Sequence, residues 1–591
     1  MKKRIVVLFF LASAGSLFAE PPVETVCRIA DKLVRETPFQ YRLVLQPRNQ
    51  VFSNLHVVDF GRTFGTGKPA IAYACTELLA ANDTTLTVEI EHNDACKVWC
   101  NRAPVYERKG ERALNLVREE RSMRCSFSFN VQLKKGRNSL LIKSETSGKD
   151  WCVFIQPPSE KDAVADYKIT YPNIGLQELP LVDKQVAALS NWLVIGTFQG
   201  NIDTFYPPEQ ELIFGKMYDG VTWTIPKTEV LGDVIAPAPW GTTYQWNYHN
   251  GGVAWAMQQL SELTQETKYA QWAANFCDYH LEGLPFVNYQ VNELKAVSSA
   301  NHHILNNKML DFTLAPALPF IYRLRKENTF KNQTLYQSFI NRMMDYARNG
   351  QIRSRGLTNY TRETPEEYTT WVDDMFMGIP FLIQAGLYAD TPEVRDAFFD
   401  DAASQVLDFN KHVWDETAQL YMHANYSARS GVKLPHWSRA NGWGIWATTE
   451  ALMYLPPSHP KYKAILKHYR KHVASLLRHQ DASGFWRNVI DRSDSPEEVS
   501  GTAIFTMAIA RGITHGWLDA KKYRPAVLKG WDAIASEIEQ DGTVHKICVG
   551  TMCSEEVDYY IHRPFYDNDT HGSFAVLFAG IEVQKMLNTN K

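Results

Sequence analysis

In the first part of the chain hydrophobic side chains recur at every second position; further along they recur at helical spacing. Thr85-Leu-Thr-Val-Glu-Ile-Glu91 and Arg124-Cys-Ser-Phe-Ser-Phe-Asn-Val-Gln-Leu133 alternate apolar and polar residues, the pattern of half-buried strands. The turn Lys134-Lys-Gly-Arg-Asn138 leads into a more apolar strand, Ser139-Leu-Leu-Ile-Lys143. The stretch from about Pro21 to Leu179 therefore reads as β, and short strands at this spacing predict a sandwich. Between Ser190 and Thr243 the helical signal is weak. Trp192-Leu-Val-Ile-Gly-Thr-Phe198 reads as a buried strand, and Pro207, Pro208, Pro226, Pro237 and Pro239 punctuate the remainder of this β-rich connector.

From Tyr248 the period changes. Helical patterns run through Val253–Leu260 and Tyr269–Phe276. They return near residues 309–325, 332–350, 373–387, 393–412, 439–455, 459–479, 499–514, 521–538 and 571–588. Some segments, such as Phe505-Thr-Met-Ala-Ile-Ala510 and Phe574-Ala-Val-Leu-Phe-Ala-Gly580, are apolar all round, so other helices must surround them. The simplest arrangement is an inner ring of buried helices inside an outer amphipathic ring. An (α/α)6 toroid needs twelve helices and the pattern supplies about eleven; the twelfth is expected in the connector. The predicted plan is a leader at 1–19, a β-sandwich module at 20–180, a connector at 181–242 and an all-α barrel at 243–591.

Composition narrows the partners. A net charge of −3 with no basic block excludes a nucleic-acid surface. Met1-Lys-Lys-Arg4, the apolar run Ile5–Ala14 and Ser16-Leu-Phe-Ala19 read as a secretory signal cleaved near Ala19. The expected location is outside the cytoplasm, periplasmic in a Gram-negative host. No later apolar run is long enough to span a bilayer. Nine cysteines leave at least one without a partner inside the chain. Cys96 and Cys100 lie about 13 Å apart along a strand, too far for a bridge. Cys548 and Cys553 flank Gly550 and are spaced for one. No zinc spacing occurs, and neighbours such as His302 and His303 rarely face one ion, so no metal or cofactor is expected.

Candidate chemistry gathers where helices begin. Trp371-Val-Asp-Asp-Met-Phe-Met-Gly-Ile-Pro380 sets Asp373 and Asp374 at the front of an apolar run, where one carboxylate is expected to cap or pair and the other to do chemistry. Asp311 opens another apolar segment. Two carboxylates at neighbouring helix mouths suit acid–base work on sugars. His423 lies in Leu420-Tyr-Met-His-Ala-Asn425. In Pro435-His-Trp-Ser-Arg-Ala-Asn-Gly-Trp443, Ser438 is placed to cap a helix, and Trp437, Arg439 and Trp443 can wall one mouth. Aromatic faces with a guanidinium fit a sugar bearing a carboxylate; a packed Trp cluster around a structural Arg fits the same residues. Glu498 and Ser500 read as helix-start capping.

Two resemblances rest on these motifs. Lys97-Val-Trp-Cys-Asn-Arg-Ala-Pro-Val105 with Leu133–Lys143 resembles the jelly-roll modules attached to carbohydrate-active enzymes, which often serve as scaffold. Trp371–Phe381, Trp437-Ser-Arg-Ala-Asn-Gly-Trp443, Glu498-Val-Ser-Gly-Thr-Ala503 and the region from Tyr559-Tyr to Asn568-Asp-Thr-His-Gly572 together resemble the unsaturated glucuronyl and rhamnogalacturonyl hydrolases, glycoside hydrolase families 88 and 105. The resemblance covers roughly Tyr244 to Glu582. It implies an (α/α)6 barrel that removes a 4,5-unsaturated uronic acid from the non-reducing end of lyase-generated oligosaccharides. Carried over by motif, Asp373 is the proton donor and Asp311 the second carboxylate. His423, Trp437, Arg439 and Trp443 would line the uronate subsite, and Trp246 and Tyr248 match the family's aromatic, substrate-binding entry to the barrel. Many rhamnogalacturonyl members carry a His-Lys pair about ten residues before the catalytic Asp; here Gly356-Leu-Thr-Asn-Tyr-Thr-Arg-Glu-Thr364 has neither, and Arg362 is the candidate substitute. Many also have Gly at Asp374. The rivals are another exo-glycosidase on the same barrel, a lyase, or a non-catalytic carbohydrate-binding protein.

Overall fold

The computed structural model describes residues 20–37, 39, 41–47, 57–65, 67–114, 116–117, 122–123, 125–156, 179–180, 186–188, 192–213, 216–224, 228–234, 245–288, 301–305, 308–429 and 431–589. The expected leader lies outside them. The chain divides into two compact units, one formed by described residues within 1–39, 240–282 and 306–591, the other by those within 40–239 and 283–305.

Among the described residues the helical unit contains twelve helices of nine residues or more: α1 (Pro22–Glu36), α2 (Tyr248–Thr264), α3 (Thr267–Asn288), α4 (Leu318–Lys326), α5 (Gln333–Asp345), α6 (Asp373–Tyr388), α7 (Pro392–Val413), α8 (Ser438–Tyr454), α9 (Tyr462–Arg478), α10 (Val499–Thr514), α11 (Ala520–Ala535) and α12 (Thr570–Thr589). The even-numbered helices form the inner ring, each packing on the next, with α12 returning to α2. Their sequences explain the position: α6 is buried from Asp374 to Gly386 and α10 from Val499 to Ile513. Outer helices carry one apolar stripe, as in α9, where Ile465, Tyr469, His472, Val473 and Leu476 face inward. Close approach needs glycine at Gly251, where an added Cβ would stand 2.5 Å from the Pro316 backbone.

The twelfth helix does not come from the described residues of the connector. It is α1, within a stretch whose overall pattern reads as β. Val26, Ile29 and Ala30 recur at helical spacing and are buried, with α1 packed on α12. Tyr269 Oη donates to Asp31 at 2.9 Å, and Trp272 Nε1 donates to the Leu33 carbonyl at 3.1 Å, fixing α1 beside α3. A single short helix ahead of a strand-rich region gives the alternation nothing to contrast with.

The second unit is built of antiparallel sheets. One runs Leu179–Pro180, Val186–Ala188, Ala70–Ala80, Gly136–Thr146, Cys96–Cys100, Ala103–Arg108, with Leu193–Phe198 also on Ala70–Ala80. The other runs Val57–Asp59, Cys152–Gln156, Thr84–His92, Phe127–Leu133. Ala72, Ala74, Val98 and Ile142 of the first share a core with Leu86, Val88, Val131 and Val153 of the second, around Trp151. The larger sheet's other face buries Tyr73 and Leu141 against Phe198, Tyr218 and Trp223. There Lys143, 1% exposed, pairs with Glu209 at 2.6 Å and donates to the Thr204 carbonyl, which pins the connector to the sheet. All nine cysteines are free, so the expected Cys548–Cys553 bridge is not formed. Both thiols have other neighbours: Cys548 Sγ donates to the Val549 carbonyl, and Cys553 Sγ meets Tyr426 Oη at 3.5 Å. No helix among the described residues is long and apolar enough to cross a membrane.

Candidate active site

The N-terminal ends of the inner helices gather the polar side chains. Asp373 and Asp374 open α6, but neither caps it by a side-chain hydrogen bond. A two-residue ladder fixes them: Thr370 pairs with Asn425 and Trp371 with Ala424, and Val372 N–H donates to the His423 carbonyl at 3.1 Å. That ladder sets the side chain of Asp373 beside His423, with Oδ2 3.2 Å from Nε2, an ion-pair distance off hydrogen-bond alignment.

Asp374 turns the other way. Arg362 Nε lies 3.1 and 3.0 Å from its two oxygens, and Nη2 lies 2.8 Å from Oδ1. The same guanidinium reaches Asp311, with Nη2 2.9 Å from Oδ1, and rests 4.9 Å over the Trp371 ring. Arg362, the candidate uronate contact, is thus committed to two carboxylates. Asp311 does not open a helix. It sits in a 3-10 turn, Leu310–Phe312, ahead of α4, and its carboxylate is aimed by Arg362.

Three carboxylates around one guanidinium leave an excess of negative charge, and their affinities for protons diverge. Burial pushes Asp374 up to about 6 against the pull of Arg362. Burial likewise raises Asp311, helped by the Asp373 charge. Asp373 moves the opposite way: burial would raise it, but His423, Arg362 and Arg439 outweigh that and hold it below the ordinary carboxylate range.

The expected aromatic wall is present but stands behind the surface. Trp246, Trp437 and Trp443 are 2%, 1% and 0% exposed. Trp443 packs on both Phe376 and Phe574, Trp437 Nε1 donates to Asn488 Oδ1 at 2.9 Å, and Trp246 Nε1 donates to the Phe312 carbonyl at 2.8 Å. Arg439 grips no free anion site here. It is 1% exposed and donates to the Cys548 and Val549 carbonyls at 2.6 and 2.7 Å and to Ser500 Oγ. Ser438 does not cap α8, whose first turn receives no side-chain cap; its backbone N–H donates to the Asn488 carbonyl. Glu498 does cap α10, accepting from Ser500 N, Gly501 N and Cys548 N at 2.8, 2.6 and 3.1 Å. Tyr248, only partly buried at the start of α2, remains on the surface of the site, where the charges of Asp311, Asp373 and Asp569 all act on its hydroxyl.

This ring of helices has known counterparts. The sequence pattern of Glycosyl Hydrolase Family 88 matches residues 229–587. The chain belongs to that family. It is therefore an enzyme, a glycoside hydrolase. Among curated relatives, the unsaturated rhamnogalacturonyl hydrolase YesR of Bacillus subtilis is 24% identical over 339 residues, covering 56% of this chain and 88% of the relative. An unsaturated 3S-rhamnoglycuronyl hydrolase of Formosa agariphila is 29% identical over 227 residues, 36% of this chain and 58% of that protein. Two solved structures share the fold at a TM-score of 0.50. A possible member of the GH105 family from Salmonella enterica is 19% identical, covering 61% of this chain and 86% of that one. A family 105 glycoside hydrolase of C. acetobutylicum is 21% identical, covering 58% and 95%.

The sequence did not single out two parts of this candidate site. Tyr560 Oη meets His423 Nδ1 at 2.8 Å, and Asn488 joins Trp437, Ser438 and the Tyr560 carbonyl. The Asp569–His571 pair, 2.6 Å apart, lies against His249 and Tyr248. The Tyr559-Tyr and Asn568-Asp-Thr-His runs are visible as motifs, but only folding shows which side chain turns inward. Among the described residues no group of three or more His, Cys, Asp or Glu side chains is arranged to hold a metal ion.

Proposed function

We propose that this hydrolase removes a 4-deoxy-4,5-unsaturated uronic acid from the non-reducing end of lyase-generated oligosaccharides by hydrating its vinyl ether. One observation carries the assignment of roles. Of the three clustered carboxylates, Arg362 holds Asp311 and Asp374 by hydrogen bonds, and Asp373 alone stands outside that clamp, facing His423 Nε2 at 3.2 Å. In this reading Asp373 gives a proton to C4. The positive charge left at C5 is shared with the ring oxygen, water adds at C5, and the proton that water loses returns to Asp373. The hemiketal opens to a ketone, and the hemiacetal left at C1 expels the next sugar as an alcohol. Atoms balance with one water consumed.

The low proton affinity of Asp373 without substrate agrees with this order of events. A uronate arriving beside it adds a negative charge and displaces water, and both changes raise the carboxyl toward a working acid. Tyr248 offers its hydroxyl to the sugar, while the buried Trp and Arg439 shell holds the wall rigid. The names of the two curated relatives support an unsaturated uronide as substrate. The β unit is proposed to be a jelly-roll-like sandwich serving as scaffold.

Unsaturated uronides absorb in the far ultraviolet, so the test is to follow that absorbance in lyase digests of several acidic polysaccharides. The reading expects the absorbance to disappear as a shortened oligosaccharide appears, and Asp373→Asn to slow this by about 10²–10⁴. Release of saturated sugar with the absorbance unchanged, or a rise in absorbance, would overturn it.

A further inference from the structure

We propose that Tyr560 is a positioning residue that keeps His423 able to hand a proton to Asp373, so that the pair stores the proton used on the substrate. This rests on Asp373 being the proton donor. His423 is fully buried, with its ring 5.3 Å from Trp371 and 4.7 Å from Trp437. Only its two nitrogens have polar neighbours: Nε2 faces Asp373 Oδ2 at 3.2 Å, and Nδ1 faces Tyr560 Oη at 2.8 Å.

The tyrosine is built to serve either form of the ring. Its side chain is fully buried, and its backbone carbonyl is held by Asn488 Nδ2 at 2.8 Å. Its hydroxyl oxygen accepts the Ser554 N–H at 2.9 Å, and the Ser554 carbonyl lies 3.3 Å away. The hydroxyl proton therefore has two destinations. When Nδ1 is bare, Tyr560 donates to it and the imidazole presents Nε2–H to Asp373. When the ring carries both protons, Nδ1–H donates to Oη and the hydroxyl turns to the Ser554 carbonyl. A phenylalanine could do neither.

The transfer is simple to balance. The Nε2–H bond breaks as an O–H bond forms on Asp373, leaving a neutral ring with its proton on Nδ1, which Tyr560 accepts. The acid then protonates C4. The groups facing the pair come from every neighbouring element. Arg362 and Arg439 act on Asp373 and favour its loss of the proton. Asp374 and Asp311 carry the opposing charge. The Cys553 thiol lies within reach of the Asp373 charge, and Trp371 and Trp437 bring no charge.

The experiment measures kcat/KM against pH for the full chain on an unsaturated uronide disaccharide. Wild type is expected to lose activity at high pH as the pair loses its proton. Hydrogen bonds to charged groups are worth enough to move that alkaline limb about one pH unit lower in Tyr560→Phe, with the plateau rate at lower pH changed by less than about threefold. Ser554→Pro, which removes an N–H that competes for Oη but leaves the tyrosine, is expected to shift the limb the opposite way, to higher pH, and stands in if Tyr560→Phe fails to fold. An equal loss of rate at all pH values, or an unmoved limb, would overturn the inference while leaving the proposed reaction intact. A wild type that leaves the unsaturated uronide untouched would overturn both.

Discussion

Replacing Arg362 with Met tests how the carboxylate cluster is held. The guanidinium is 11% exposed and makes short contacts with two carboxylates, one of them 1% exposed. Removing one partner from a buried pair costs about 3–5 kcal/mol, because the charge left behind is uncompensated. Here two charges are left, and the third carboxylate, Asp373, repels both. They are expected to respond by taking up protons. A carboxyl raised in the fold is stabilising below its unfolded value and loses that contribution as pH climbs through its folded value. Asp374 already stands at about 6 with Arg362 present, and it moves higher without it. Destabilisation should therefore be largest near pH 8, on the order of 10 °C in the melting temperature. It should shrink toward pH 5, by about 1.4 kcal/mol per pH unit for each group across its titration. Thermal unfolding by circular dichroism at pH 5, 6.5 and 8 measures this directly. A loss that is the same at pH 5 and pH 8, or below about 1 kcal/mol throughout, would refute the clamp.

Further outcomes are expected from the same geometry. Glu498→Ala leaves two N–H donors at the start of α10 and the Cys548 N–H unmet, and should lower stability by on the order of 3 kcal/mol in denaturant unfolding. Gly251→Ala drives a methyl into the Pro316 backbone and should cost about 1–3 kcal/mol by the same measurement. Val26→Asp places a charge in the contact between α1 and α12, and is expected to abolish cooperative unfolding of the helical unit. With all nine cysteines free, reductant should leave the melting temperature unchanged, and a thiol reagent should count nine thiols in denaturant.

The helical ring is legible in the sequence because its signal is additive: apolar faces repeat through segments such as 499–514 and 571–588, and buried inner helices cannot disguise themselves. Asp373 and the separate fate of Asp374 are legible for the same local reason, two carboxylates at one helix start. The partners are not. Arg362 lies twelve positions before Asp374 and fifty-one after Asp311, and no spacing rule links the three. Arg439 and the tryptophans suggest a sugar-facing wall because residue type says nothing of how far back a side chain stands. Burial decides it, and burial depends on Phe376, Phe574 and Asn488 arriving from elsewhere. α1 escapes the pattern because one isolated amphipathic helix beside many strands has no neighbour of its own kind.

The closure of the helical ring also constrains how the chain can be made. Within this chain α1 is the earliest described helix, and it lies on α12, the latest; α2 closes the inner ring against that same α12. A ribosome delivers α1 long before α12, so Val26 and Ile29 stay exposed until α12 has emerged. Contacts of such long separation form slowly. The growing polypeptide thus carries a sticky, unsatisfied surface until α12 appears, and a holding chaperone that keeps this segment from premature association would aid its maturation.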